Sequence, residues 1–345
     1  MKKLSLLLLA IVAAALLASP PDALAGQKYT IRATQTFAST HPWHKGFEKF
    51  KEIIEAKTDG QIRVQNYPAG QLSGGNNRTM NEQVQAGTLQ LLVQSPPSWA
   101  GLAPKSQIFN LPFMFPSNEV GLKIATESEI SKKILDASFD GLGVTVMDIW
   151  ENGFRNLTTR TKIVHSPDDL KGMKVRVPAT PLLTEVFQQL GALPVTISMP
   201  EVYTSLQQGA VDAQENPVSA IYSNKLYEVA PKITMWRYCW DPGIVTINTK
   251  FYEGLPQDLQ AAVADALKEA GKYVNELTAK EDRELIEDIK KSGAEVYYMT
   301  DAESEVFKKA MAPVYAKYEP QFGADLIEEL RQTVAATEKA LKESK

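Results

Sequence analysis

The stretch 174–217 reads KVRVPATPLLTEVFQQLGALPVTISMPEVYTSLQQGAVDAQENP and carries the decision about the fold. Val175 and Val177 mark 174–177 as a buried strand that Pro178 ends. Residues 181–190 have helical spacing, 194–197 form a second strand, and 200–208 a second helix stopped by Gly209, which suits a left-handed C-cap. Residues 211–214 enter a third strand that runs to Asn216-Pro217. This β-α-β-α-β order predicts an α/β fold with mainly parallel sheets flanked by helices.

A similar block precedes it. Strands are expected at 29–37, 61–67 and 89–94, with helices at 42–57 and 77–86 between them. The first helix shows an apolar stripe, Trp43, Phe47, Phe50 and Ile54, and has Pro42 at its first position. Val84-Gln85-Ala86-Gly87-Thr88-Leu89 echoes Leu206-Gln207-Gln208-Gly209-Ala210-Val211, and the strands that follow reach Ser95-Pro96 and Asn216-Pro217. Two lobes of similar construction follow. Residues 256–291 read as one long helix with a broken stripe (Leu259, Val263, Leu267, Val274, Leu277, Leu285, Ile289), suited to bracing both lobes; its heptad is not strict enough for a coiled coil. Thr300 and Glu303 form a capping box, and 324–342 a last amphipathic helix. The expected partition is 26–152 plus about 241–280 for lobe I, and 153–240 plus about 281–345 for lobe II.

Lys2 and Lys3, an apolar run over 4–17 broken only by Ser5, and Ala23-Leu24-Ala25 have the form of an export signal cleaved after Ala25. The run is short for a bilayer crossing, which takes about 20 residues. No cysteine near the cleavage site offers a lipid anchor, so a free periplasmic protein is expected. Of 345 residues, 25 of signal leave 320, more than one core sustains. The single cysteine, Cys239, cannot form an internal disulfide and reads as a small buried apolar residue. A net charge of −4 with dispersed basic residues argues against nucleic acid as a partner.

Ligands in open α/β sheets bind beyond the carboxyl ends of the strands. That places a cleft near 37–43, 95–99, 176–180, 198–199 and 215–216, drawing on both blocks. Arg176 is the sharpest candidate: a guanidinium on a buried strand needs an anion, and a ligand carboxylate fits its planar fork. The alternative is an internal salt bridge to Asp212 or Glu215. Arg155, after the strand-breaking Gly153, could add a second cation at a crossing between lobes, although spacing favours a surface arginine paired with Glu151. Asn216 and Gln214 offer donors and acceptors, or satisfy the turn at Pro217. Glu215 is expected as a cleft acid. Phe37, Pro178 and the tryptophans (Trp43, Trp99, Trp150, Trp236, Trp240) supply candidate apolar walls, core packing being the plainer role for each tryptophan. His41 and His44 read as helix-entry residues, and His165 as an isolated loop residue. No metal, cofactor or catalytic motif is expected. An acid–base pair of Asp212 and Glu215, as in an exported lyase or hydrolase, is a weaker alternative.

Six stretches together resemble the solute-binding proteins of tripartite ATP-independent periplasmic (TRAP) transporters, in the dicarboxylate-binding-protein-like branch. They are YPAGQL (67–72), EQVQAGTL (82–89), LPFMF (111–115), GFR (153–155), DLKGMKVRV (169–177) and LQQGAVDAQENP (206–217), the last with Ala213 where the family usually has glycine. The resemblance implies a two-lobed type II periplasmic-binding-protein fold, hinge closure on a small organic acid, and delivery to the small and large subunits of an ion-gradient-driven permease. It implies that Arg176 grips the ligand carboxylate, Arg155 assists and Asn216 completes the clamp, and it nominates Asn77, Ser95, Met199 and Trp240 as pocket walls. A monomer without cofactors or catalysis is expected. The tryptophans tilt the ligand toward a monocarboxylate with an apolar or aromatic body, a 2-oxo or 2-hydroxy acid being the other option. A periplasmic sensor of the same acid is the runner-up.

Overall fold

A computed structural model describes residues 28–344; the export-signal reading lies outside them. Among the described residues, eleven strands form two sheets. They are β1 (Tyr29–Gln35), β2 (Ile62–Tyr67), β3 (Leu91–Gln94), β4 (Val144–Trp150), β5 (Phe154–Thr159), β6 (Lys174–Val177), β7 (Leu193–Thr196), β8 (Ala213–Asn216), β9 (Lys232–Trp240), β10 (Gly243–Asn248) and β11 (Glu295–Tyr298). The first sheet has the order β2-β1-β3-β10-β4, the second β11-β9-β5-β8-β6-β7. Pairing is parallel inside each β-α-β-α-β block (β1 with β2 and β3; β6 with β7 and β8). The strands outside the blocks make the sheets mixed: β10 runs antiparallel to β3 and β4, and β5 antiparallel to β8 and β9.

The helices form where stripes and caps predict them. Pro42–Lys57 buries Trp43, Phe47, Phe50 and Ile54, and His41 caps it by accepting the Trp43 amide at Nδ1, 3.2 Å away. Asn77–Ala86 starts at the Asn76 cap and ends at Gly87, whose φ of 77° is left-handed. Thr300 and Glu303 form the expected capping box at the head of Asp301–Ala310. Two strands begin later than expected, β3 at Leu91 and β8 at Ala213. After Gly209 (φ 72°), Asp212 ties its carboxylate to the Lys174 amide at 2.9 Å, and β8 begins only at Ala213. The strand still runs to Asn216 as expected, with Glu215 and Asn216 opposite Leu157 and Asn156 of β5.

The chain passes from the first sheet to the second between β4 and β5 and returns between β9 and β10. The helix Gln257–Lys291 makes a third connection. It packs on Pro42–Lys57 and β4 in one lobe and on Val218–Ser223 and β11 in the other. Close approach here depends on glycine. A Cβ on Gly271 would lie 2.0 Å from Asp148 Oδ2 and 2.8 Å from Trp150 Nε1, and one on Gly46 would lie 2.3 Å from Val274 Cγ2. Each of the two apolar cores takes residues from both lobes: Ile31, Phe47 and Val245 share one with Val202, Ile221 and Ile233. No described helix is long and apolar enough to cross a membrane.

Candidate functional site

Arg155 and Arg176 lie on neighbouring parts of the second sheet, and both are buried, 2% and 3% exposed. Their surroundings differ. Arg155 is neutralised by the protein itself. Its Nε and Nη2 engage the Glu215 carboxylate, Nη1 donates to Asp241 Oδ2 at 2.8 Å, and Nη2 also reaches Asn216 Oδ1 at 3.2 Å. The network extends to Tyr238, whose hydroxyl donates to Glu215 Oε2 at 2.7 Å, and to Asn152 and Asn110, which donate to Asp241 at 2.8 and 3.1 Å. Burial works against the Arg155 charge, but Glu215 and then Asp241 outweigh it and hold its pKa well above the ordinary value.

These contacts revise three sequence expectations. Arg155 is not a surface residue paired with Glu151; β5 buries it against two other acids. Glu215 is its counter-ion, with both oxygens occupied, rather than an open cleft acid. Asn216 does not serve the Pro217 turn: its Nδ2 donates to Gln214 Oε1 at 2.6 Å, and Gln214 donates to Thr158 Oγ1 at 2.9 Å. Asp212, fastened to the Lys174 amide, and Glu215, fastened to Arg155, are both committed to structural bonds, which removes the support for an acid–base pair.

Arg176 has no such counter-ion. Its Nε donates to the Ile197 carbonyl at 2.8 Å, and among the described residues no carboxylate lies within ion-pairing distance. Burial is the main reason its pKa falls to about 10; Glu215 opposes the fall and Arg155 adds to it. The side chain therefore stays cationic near neutral pH with an unmet need for negative charge. Segments of the second block near it meet first-lobe groups at two places. The turn at Gly75 meets Pro200, where an added Cβ on Gly75 would come within 2.3 Å of the proline Cγ. Asn77 and Ala179 together line a cavity of about 280 Å³ with Arg78, Asn81, Pro97, Ser98, Gly101 and Leu102. Pro200 follows Met199, and Ala179 follows Pro178, so the segments nominated from the second block meet the first lobe here.

The other nominated residues are scattered. Ser95 is buried at the entry of the short helix Pro96–Trp99 and makes no capping bond. Met199 is buried in a core at the head of Met199–Gln207. Phe37 stacks on His41 with ring centroids 4.3 Å apart. Trp150 packs on Phe47, and Trp240 on Phe115 while its indole donates to Glu151 Oε1 at 3.0 Å. These two tryptophans are core residues and do not line the cavity, because the glycines opposite them, Gly271 and Gly121, let helices close over the rings. Sequence reasoning missed Asp241 and Tyr238, since the strand carrying Tyr238 lies outside both repeated blocks.

Glu151, in the β4–β5 crossing, is 3% exposed. Burial first, then the neighbouring Asp282, raises its pKa from 4.5 to about 8, against hydrogen bonds from Trp240, Gly153 and Asn152. Unfolded, this carboxyl loses its proton near 4.5; folded, it keeps it to about 8. Between those values the folded state binds more protons, so its contribution to stability declines as pH rises and levels off above about 8. Glu151→Gln is expected to flatten that part of a melting-temperature profile against pH. A profile unchanged by the substitution would show that Glu151 titrates normally.

A family model described as bacterial extracellular solute-binding protein, family 7 (DctP), matches residues 33–321. The chain belongs to this family. Along 322 residues this DctP-family protein is 31% identical to the 2,3-diketo-L-gulonate-binding periplasmic protein YiaO of Escherichia coli K12, covering 92% of this chain and 95% of YiaO. Among solved structures, a TRAP periplasmic solute-binding protein from Ralstonia eutropha H16 with bound (S)-2-acetolactate superposes with a TM-score of 0.84 at 31% identity, covering 89% of this chain and 99% of that one. Another, from Sulfurospirillum deleyianum with bound succinate, gives 0.83 at 29% identity, covering 88% and 99%. The DctP-family protein thus has the two-lobed type II architecture of TRAP solute-binding proteins.

Proposed function

We propose that this protein captures a small organic acid in the periplasm, holds its carboxylate on Arg176 between the lobes, and hands it to the small and large membrane subunits of a TRAP permease driven by an ion gradient, without altering it chemically. The observation that carries the reading is Arg176 itself, a buried cation with a carbonyl but, among the described residues, no carboxylate in ion-pairing reach. A guanidinium binds a carboxylate through two parallel charge-assisted hydrogen bonds. Beside it, Arg155 joins Glu215, Asp241 and Asn216 in a hydrogen-bonded frame that supports the site. The relatives support an acid as ligand: YiaO is named for diketogulonate, and the two solved structures hold acetolactate and succinate. The buried tryptophans give no support to an aromatic body, which favours a small hydroxy or oxo acid.

The test is a panel of organic acids scored by thermal shift, with mass spectrometry of any acid that co-purifies. A ligand that binds only the native state raises the melting temperature, by about 2.7 kcal/mol of stabilisation at one hundred times Kd. At least one carboxylate should shift the transition and be recovered unchanged after incubation. Shifts produced only by neutral or cationic solutes would overturn the proposal.

A further inference from the structure

A second cavity, of about 460 Å³, lies where the 111–115 stretch meets β9, the helix Asp301–Ala310 and the last helix, Ala324–Glu343. Arg176, Arg155, Asn77 and Asn216 do not line it. Its floor is apolar: Met114, Phe115, Met235, Trp236 and Val334 are all buried. Three of the chain's nine methionines, Met114, Met235 and Met299, line it, and such flexible thioethers repack around guests of varied shape. The volume falls within the ~300–1,000 Å³ typical of ligand sites.

The backbone is strained at this cavity. Of the five described non-glycine residues with positive φ, two line it, Phe113 at 57° and Arg237 at 49°. Bulky residues adopt that conformation only where the surrounding structure compels it, and such places are often ligand clamps. In a regular strand successive side chains alternate between faces. Here Met235, Trp236 and Arg237, three in a row, all line one cavity. The pairing of β9 with β5 slips between Arg155 and Leu157, and the Arg237 amide donates to Asn156 Oδ1 at 3.2 Å.

The rim is charged. Lys308 pairs with Glu305 at 2.7 Å, Arg331 with Glu328 at 3.7 Å, and Glu338 with Lys342 at 2.6 Å. Asp301 is exposed in the first turn of its helix, where the helix dipole favours a negative charge. Arg237 is different. Among the described residues no carboxylate lies within ion-pairing distance of it; its guanidinium sits 4.6 Å from the centre of the Phe154 ring, and Asp282 acts on its charge from farther off. Beside it Trp236 Nε1 is a buried donor without a partner. A guanidinium and an indole N–H only donate, so the polar end of a guest has to accept, and the guanidinium favours a negative acceptor.

We propose that this cavity is a second binding site, separate from the carboxylate cleft, for an amphipathic carboxylate whose charged end lies at Arg237 and whose apolar body covers Met114, Met235 and Val334. A neutral apolar guest would leave the donors without an acceptor, and a cationic one would meet the Arg237 charge.

The experiment is calorimetry of the mature protein with three probes that share one chain: octanoate, octan-1-ol and octylammonium. Octanoate should bind at least tenfold more tightly than the other two, because they lack the charge-assisted contact. Arg176→Ala should keep one octanoate site of unchanged affinity. Arg237→Gln should weaken that site at least fivefold, and Ala335→Trp, at an exposed lining position, should abolish it by filling the cavity. Melting curves verify that each variant is folded, and the three-probe comparison on the unsubstituted protein stands without them. Loss of all octanoate binding in Arg176→Ala would place this acid in the cleft, overturning the second site and leaving the carboxylate anchor intact. Equal binding of octan-1-ol would overturn the assignment of an anion. No binding of octanoate, or binding unchanged in Ala335→Trp, would overturn the site.

Discussion

Arg176→Ala is expected to weaken carboxylate binding by roughly 10²–10⁴-fold and to leave the melting temperature of the ligand-free protein nearly unchanged. Two hydrogen bonds to a charged group contribute about 1.5–3 kcal/mol each, and about 1.4 kcal/mol corresponds to tenfold in affinity. The second half of the result distinguishes a ligand anchor from a structural ion. Among the described residues Arg176 makes a single side-chain bond, to the Ile197 carbonyl, and burial depresses its pKa. It therefore contributes little to folding, and its removal leaves no buried carboxylate without a partner. Arg176→Lys should fall between the two, because it keeps the charge and loses the planar fork. Calorimetry and thermal melts on the three proteins check both halves. Wild-type affinity in the alanine variant, or a large fall in melting temperature, would contradict the assignment.

Arg155→Ala should have the opposite signature. It leaves Glu215 and Asp241, both fully buried, without their cation. Breaking a buried ion pair in this way costs about 3–5 kcal/mol. At about 2–4 °C per kcal/mol for chains of 150–250 residues, the melting temperature should fall by roughly 6–20 °C. Adding Glu215→Gln to Arg155→Ala should restore part of the loss, since a neutral amide is cheaper to bury than a lone carboxylate. Equal stability of the double and single variants would show that the acids are hydrated, not stranded. The two arginines, similar in burial, are thus separated by their partners alone.

Residue patterns revealed one arginine better than the other. Arg176 was legible because valines on both sides and Pro178 after it mark a buried strand end, where a cation has to be explained. Arg155 was misread because its counter-ions are remote in sequence: Glu215 lies 60 residues away and Asp241 86. The nearest acid, Glu151, instead receives the Trp240 indole. The helices Pro42–Lys57, Asn77–Ala86 and Gln257–Lys291 were legible because stripe, cap and stop agree on each. Strands β5 and β9 were not, since both are buried along nearly their whole length and show no alternation. The tryptophans misled for a related reason. Large rings near predicted strand ends suggest a pocket, but glycines at 121, 243 and 271 mark where neighbouring elements close over Trp240, Trp43 and Trp150. The hydrogen-bonded set around Asn77 left no periodic trace, because Thr36, Gln94 and Ser98 meet it only in three dimensions.

Cys239 is wholly enclosed, and burial is the main reason its thiol pKa is pushed well above the ordinary value. Thiol-directed reagents attack thiolates that solvent can reach. Maleimide dyes or nitroxide labels will therefore bypass the native sulfur and mark only cysteines engineered onto the surface. A pair of such labels, one on each lobe, can report interlobe distances by fluorescence transfer or pulsed electron resonance with the natural background left in place.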